Sequence, residues 1–92
     1  MPNTINISKN MRFFVYIIGT KHPKIRTYVG WSNDIKKRLT AHNESKGAKF
    51  TRGSKWNLLY QEELFSKSEA MKREAQLKKD RQLRSQLRNK LI

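Results

Sequence analysis

The sequence predicts a small mixed α/β domain of the α+β kind: a small, mostly antiparallel sheet with helices packed on it, in the order β-β-α-β-α-α. Three observations lead there. The run Phe13-Phe14-Val15-Tyr16-Ile17-Ile18 is β-branched and aromatic and too short for an ordinary helix. Two further strand-like segments follow, at Thr27–Trp31 and Trp56–Phe65. Polar start signals at Ser32-Asn33-Asp34 and Ser66-Lys67-Ser68-Glu69 each precede residues at helical spacing.

In chain order, residues 1–11 read as a flexible lead-in, and 12–92 as one domain ending in a helical extension. The first strand is apolar along its whole length, as expected of a central strand covered on both faces. Gly19 to Arg26 holds Gly, His-Pro and Lys, which is loop chemistry, and its short length implies a hairpin to the second strand. Ser32 or Asn33 can cap the first helix, with Asp34 in its first turn. Ile35, Leu39 and His42 fall at helical spacing, and Asn43 to Gly47 ends the helix. Lys46 to Lys55 is a basic, glycine-containing loop with room for a helical turn. Ser66 and Glu69 match a capping box. The helix after it carries a weak apolar stripe of Ala70, Met71, Ala75 and Leu77. Leu83, Leu87 and Leu91 continue helical spacing past Asp80.

Composition bounds the function. The 92 residues hold 21 Lys and Arg against 7 Asp and Glu, a net charge of +14. Residues 1–66 carry 12 basic and 4 acidic side chains, and residues 67–92 carry 9 and 3, so the charge is spread rather than held in a tail. The natural partner is a polyanion: nucleic acid first, an anionic membrane surface second. The absence of cysteine removes disulfides and thiolate metal sites and suits a reducing compartment. Phe13–Ile18 falls far short of the roughly 20 apolar residues of a membrane span. Met1 to Asn10 lacks the apolar centre of a signal peptide.

Two features stand out on apolar faces. Glu74 sits among Ala70, Met71 and Leu77. A carboxylate there is costly unless it lies at the edge with a partner such as Lys78, or faces a cation or cleft. Arg38 and His42 share a helix face and can hold a phosphate, or else be a solvated arginine and a histidine charged by the helix C-terminus. Tyr16 and Tyr28 are ordinary strand residues unless their hydroxyls enter a cleft.

Val15-Tyr16-Ile17 followed by Tyr28-Val29-Gly30 resembles the paired signature of the GIY-YIG endonucleases. Arg38 and His42 follow the second tyrosine by ten and fourteen residues, as on that family's first helix. Gly47-Ala48-Lys49-Phe50-Thr51-Arg52 is similar to the loop of its small bacterial branch, related to the excision-repair incision nuclease domain. Ser68-Glu69-Ala70 with Arg73-Glu74 resembles the start of its metal-binding helix. The likeness runs from about Phe13 to Leu83. It departs in Val-Tyr-Ile for Gly-Ile-Tyr, in Phe50 where many relatives carry tyrosine, and in the lack of a counterpart to a downstream asparagine, Asn89 lying too far along.

The resemblance implies the GIY-YIG nuclease fold, a small three-stranded antiparallel sheet flanked by helices, and a metal-dependent endonuclease that hydrolyses DNA phosphodiesters, structure-selective or weakly selective, in DNA repair or processing. It implies a cytoplasmic, nucleoid-associated protein. Glu74 would hold one Mg²⁺ or Mn²⁺, since a lone carboxylate suits a hard cation. Two histidines and no cysteines argue against a caged zinc. Tyr16 would act as general base, although an unperturbed phenol titrates at about 10 and needs help. Tyr28 would orient water or phosphate. Arg38 would stabilise charge at phosphorus, and His42 would relay a proton from Tyr16 or contact the phosphate. Gly30 allows close backbone approach, or marks a bulge. Lys46, Lys49, Arg52 and Lys55 would track phosphates, with Phe50 and Trp56 as base-stacking or core aromatics. Two alternatives are a catalytically weak or inactive nucleic-acid-binding module, and a membrane or acidic-protein surface made by Leu83, Leu87 and Leu91 with Arg81, Arg84 and Arg88.

Overall fold

The computed structural model describes residues 12–91; the lead-in expected over residues 1–11 lies outside them. Strand β1 (Phe13–Thr20) is the middle of a sheet ordered β2-β1-β3 and pairs antiparallel with β2 (Arg26–Ser32) and β3 (Asn57–Leu64). Its middle position explains its composition, because Val15 to Thr20 are all buried. Alternation sends Val15 and Ile17 to one face and Tyr16 and Ile18 to the other. A register shift between Ile17 and Ile18 inserts Leu59 on β3, so consecutive Leu59 and Tyr60 both pack on the Val15 side.

Helix α1 (Ile35–Asn43) and a short 3₁₀ turn at Lys49–Thr51 adjoin the Tyr16 face. Helices α2 (Lys67–Lys79) and α3 (Arg81–Asn89) cover the other, where Ala70, Leu77 and Leu87 meet Val15, Ile17 and Val29. Fully burying an aliphatic side chain of this size stabilises by about 1.5–3 kcal/mol. The order is the expected β-β-α-β-α-α.

Local details differ. Asp34, not Ser32 or Asn33, caps α1: its carboxylate accepts from Lys37 N at 3.1 Å. Ser32 Oγ instead accepts from Asp34 N at 2.9 Å, turning the chain into the helix. Ser66 Oγ accepts from Glu69 N at 3.1 Å, but the Glu69 carboxylate reaches back to Phe65 N, one residue earlier than a capping box requires. Met71 is 49% exposed and Ala75 is exposed, so the buried stripe of α2 is Ala70 and Leu77. Asp80 breaks the long helix and caps α3 through Leu83 N at 3.0 Å.

Arg73 fixes α2 on the sheet. Its Nε and Nη2 donate to the two carboxylate oxygens of Glu62 on β3, each at 2.8 Å. The fork holds the Glu62 carboxyl below its usual range and raises the guanidinium's affinity for its proton. Glu74 is the next residue along.

Candidate active site

The site begins with the β1–β2 register, which sets Tyr16 opposite Gly30. A Cβ at Gly30 would stand 2.5 Å from Tyr16 Oη. The glycine is there because the tyrosine ring lies over it, and no bulge occurs at that point. The close backbone approach expected of Gly30 is an approach to this phenol.

Helix α1 brings His42 to the same place. His42 is 1% exposed, and its Nε2 lies 2.8 Å from Tyr16 Oη. Its Nδ1 lies 2.8 Å from Thr51 Oγ1, and that hydroxyl lies 2.8 Å from the Ala48 carbonyl. These contacts determine the proton positions. Thr51 has one hydroxyl proton, and a carbonyl can only accept, so the proton goes to Ala48 O. The Thr51 oxygen then accepts from Nδ1–H. Nε2 is left bare and accepts from the Tyr16 hydroxyl. Burial, then the Arg38 charge, lower the His42 pKa, so the imidazole is neutral. This setting, buried and bonded at both ring nitrogens, opposes the alternative of a histidine charged by its helix terminus.

The loop is built to hold Thr51. Trp56 Nε1 donates to the Thr51 carbonyl at 2.8 Å. Asn43 clasps the Trp56 backbone, accepting from its N at 2.5 Å and donating to its O at 3.1 Å. Gly47 presses its backbone on the imidazole, where any Cβ would overlap His42 Nδ1. Arg26 reaches across from β2 to the Phe50 carbonyl at 3.2 Å and to Ser54 Oγ at 2.6 Å. Trp56, at 2% exposure, is thus a core residue and not available to stack on a base. Phe50 is 52% exposed and stacks on Tyr28, with ring centroids 6.1 Å apart.

Tyr28 stands edge-on to His42, with ring centroids 5.2 Å apart. Burial raises both phenols, Tyr16 strongly. Glu74 raises both further by its charge, while Arg38 lowers both, so an acid and a base bear on one cluster from α2 and α1. Arg38 is exposed and borders a hollow of about 230 Å³ shared with Lys37. The Glu74 side chain is 22% exposed, and the Lys78 Nζ expected as its partner lies 3.7 Å from Oε2. Lys46, Lys49, Arg52 and Lys55 are all exposed in the loop.

Among the described residues no group of three His, Cys, Asp or Glu side chains could hold a metal. The donor set is one half-buried carboxylate, which fits a hard divalent ion that keeps most of its own oxygen ligands. Thr51, Gly47 and Asn43 carry parts of this site that the sequence reading did not assign. The one available signal was a hydroxyl residue inside the Gly47–Arg52 motif.

The model of the GIY-YIG catalytic domain matches residues 12–89. The chain belongs to the GIY-YIG family. It is 40% identical over 68 residues to a UPF0213 protein of Staphylococcus saprophyticus, covering 73% of this chain and 80% of that one. A UPF0213 protein of Clostridium perfringens is 43% identical over 67 residues, covering 72% and 70%. One from Streptococcus agalactiae is 50% identical over 52 residues, covering 55% and 59%. No solved structure matches the chain significantly. Membership in this small GIY-YIG group implies nuclease chemistry in general and nucleic acid as its substrate. No helix among the described residues is long and apolar enough to cross a membrane.

Proposed function

We propose that the protein is a divalent-metal-dependent DNA endonuclease that acts on branched or single-stranded DNA with little sequence selectivity. The hydrogen-bonded line from Tyr16 through His42 to Thr51 carries this reading, because it holds the bare Nε2 of His42 against the phenol as a proton acceptor. A water oxygen attacks phosphorus, and the bond to the sugar oxygen breaks, that oxygen leaving with the bonding pair and taking a proton from bulk water. Tyr16 Oη takes the proton of that water as its own proton passes to the bare Nε2 of His42. The imidazolium so formed donates from both nitrogens, to Tyr16 and to Thr51. This arrangement answers the objection that burial disfavours a free Tyr16 phenolate, since none needs to accumulate.

Arg38 neutralises charge on the nonbridging oxygens, a role that preorganised donors perform at about 3–4 kcal/mol. Tyr28 orients the water or the phosphate. Glu74 would hold Mg²⁺ or Mn²⁺, which when bound supplies Lewis-acid stabilisation and opposes the field that raises the two phenols. Lys46, Lys49, Arg52 and Lys55 would run along the DNA backbone, and Phe50 offers one stacking surface. Action on the bacterial nucleoid in DNA repair or processing belongs to the same proposal; the similar UPF0213 proteins are bacterial.

Pure protein incubated with labelled branched and single-stranded DNA plus Mg²⁺ or Mn²⁺ tests this. Metal-dependent nicking that disappears in Glu74→Ala is expected. Nicking that persists in that variant, or tight binding with no turnover across metals and substrates, would overturn it.

A further inference from the structure

The arginines of α3 are not used by the site described above. Leu87 and Leu91 are 4% and 7% exposed, and Leu83 packs half-buried on the core. The apolar side of α3 is therefore taken up by packing, and the amphipathic surface considered as a membrane anchor has no free apolar face. The arginines remain outside. Arg81, Arg84 and Arg88 line, with Thr27 and Ser85, an open groove of about 260 Å³ between α3 and edge strand β2.

Two properties mark the groove as more than a solvated charge row. Among the described residues none of the three arginines pairs with an acidic side chain. Arg84 is half-buried, and its Nε is shielded from solvent with no hydrogen-bond partner. A buried donor without an acceptor is destabilising, and neighbouring like charges add to the cost. An anion entering the groove offsets the like-charge cost.

We propose that this groove is a second phosphate-binding site, which grips the nucleic-acid backbone away from the scissile bond. The proposal rests on the nucleic-acid reading of the chain. The helical rise puts Arg81 and Arg88 about 10 Å apart along the axis of α3. That is the axial span of about three phosphates of one strand at ~3.4 Å each. Guanidinium forks match phosphate oxygens, and the Thr27 and Ser85 hydroxyls add neutral donors of the kind that set backbone register. Thr27 and Tyr28 are adjacent on the edge strand, so their side chains leave opposite faces. A polyanion passing over the β2 edge therefore meets the tyrosine cluster on one side and the arginines on the other.

The test is fluorescence anisotropy without metal, using a labelled DNA duplex of about three helical turns. Arg81→Gln/Arg88→Gln changes two exposed side chains, and Arg84→Gln changes the half-buried one; circular dichroism melts check that each variant folds. Losing two phosphate contacts should reduce the slope of log K against log salt by about 2, so the double variant's Kd disadvantage should shrink about tenfold between 50 and 200 mM salt. Arg84→Gln should reduce the slope by about 1. An unchanged slope in a folded double variant would overturn the proposal. So would intact duplex binding alongside lost binding of polyglutamate, because the groove would then suit acidic protein. A reduced slope in a protein that never cleaves DNA would support the groove and defeat the nuclease reading. Cleavage with an unchanged slope would do the reverse.

Discussion

The sheet has different neighbours on its two sides. Toward α1 and the loop, a phenol, an imidazole and a hydroxyl are joined by hydrogen bonds of 2.8 Å. Toward α2 and α3, Val15, Ile17, Val29, Ala70, Leu77 and Leu87 form a core without polar side chains. One strand supplies both, because β1 sends alternate residues each way. Neighbouring positions on β1 should therefore fail differently when altered: one side loses chemistry, and the other loses the fold.

The strongest test sets adjacent residues against each other. Tyr16→Phe removes one hydroxyl and keeps the ring over Gly30. Its nicking rate should fall by about 10²–10⁴, the usual worth of a general base, with a stability loss of about 1 kcal/mol. Ile17→Ala on the opposite face should cost about 2–5 kcal/mol, much of the stability a small domain has. Thermal melts and nicking assays on both variants read the two effects separately. A large melting shift in Tyr16→Phe would mean that the polar face is chiefly structural.

The next test probes how the polar face is set. Thr51→Val keeps the shape but leaves His42 Nδ1–H without its acceptor, so the imidazole no longer has to present a bare Nε2 to Tyr16. Activity should fall by about a hundredfold, as for other misplacements of a reacting group. Thr51→Ser restores the oxygen and should recover most of the rate. Equal activity in the valine and serine variants would show that the hydroxyl does not position the histidine.

The two faces were also unequally legible. The apolar run of β1 announces a central strand because an all-buried strand must be apolar throughout. Tyr16, Tyr28, Arg38, His42 and Glu74 could be named from their spacing in the family pattern, and the structure brings Tyr16, Tyr28 and His42 into contact, while the charge of Arg38 bears on all three and that of Glu74 on the two tyrosines. Thr51 was not legible as a partner of His42. Their contact depends on a loop path fixed by Asn43, Trp56 and Arg26, and no local periodicity records it. Met71 misled because α2 turns Ala70 and Leu77 onto the sheet and leaves Met71, one position from Ala70, half outside. Asp34 displaced Ser32 as the cap because Ser32 is still the last residue of β2.

The smallest effect expected separates the faces by acid titration. His42 and Glu62 both have lowered pKa values, His42 through burial and Arg38, Glu62 through its bonds to Arg73. For each, the unfolded chain binds more protons between the lowered value and the ordinary one, so stability rises with pH across that window. The His42 contribution is complete above its ordinary value of 6.5 and is lost as pH falls through the lowered one. The Glu62 contribution is complete above 4.5 and is lost below that. The Arg73–Glu62 pair is 34% and 25% exposed at its side chains, so solvent screening holds its worth to about 1 kcal/mol or less. Melting temperature should thus decline in two stages on acidification, with the α1 side weakening first and the β3–α2 clasp second. His42→Gln should remove the upper stage alone, and Glu62→Gln should shrink the lower one, leaving the part owed to Glu63, whose carboxyl Arg12 also holds low. If either substitution removed both stages, the two faces would be titrating as one unit, and their separation by β1 would be wrong.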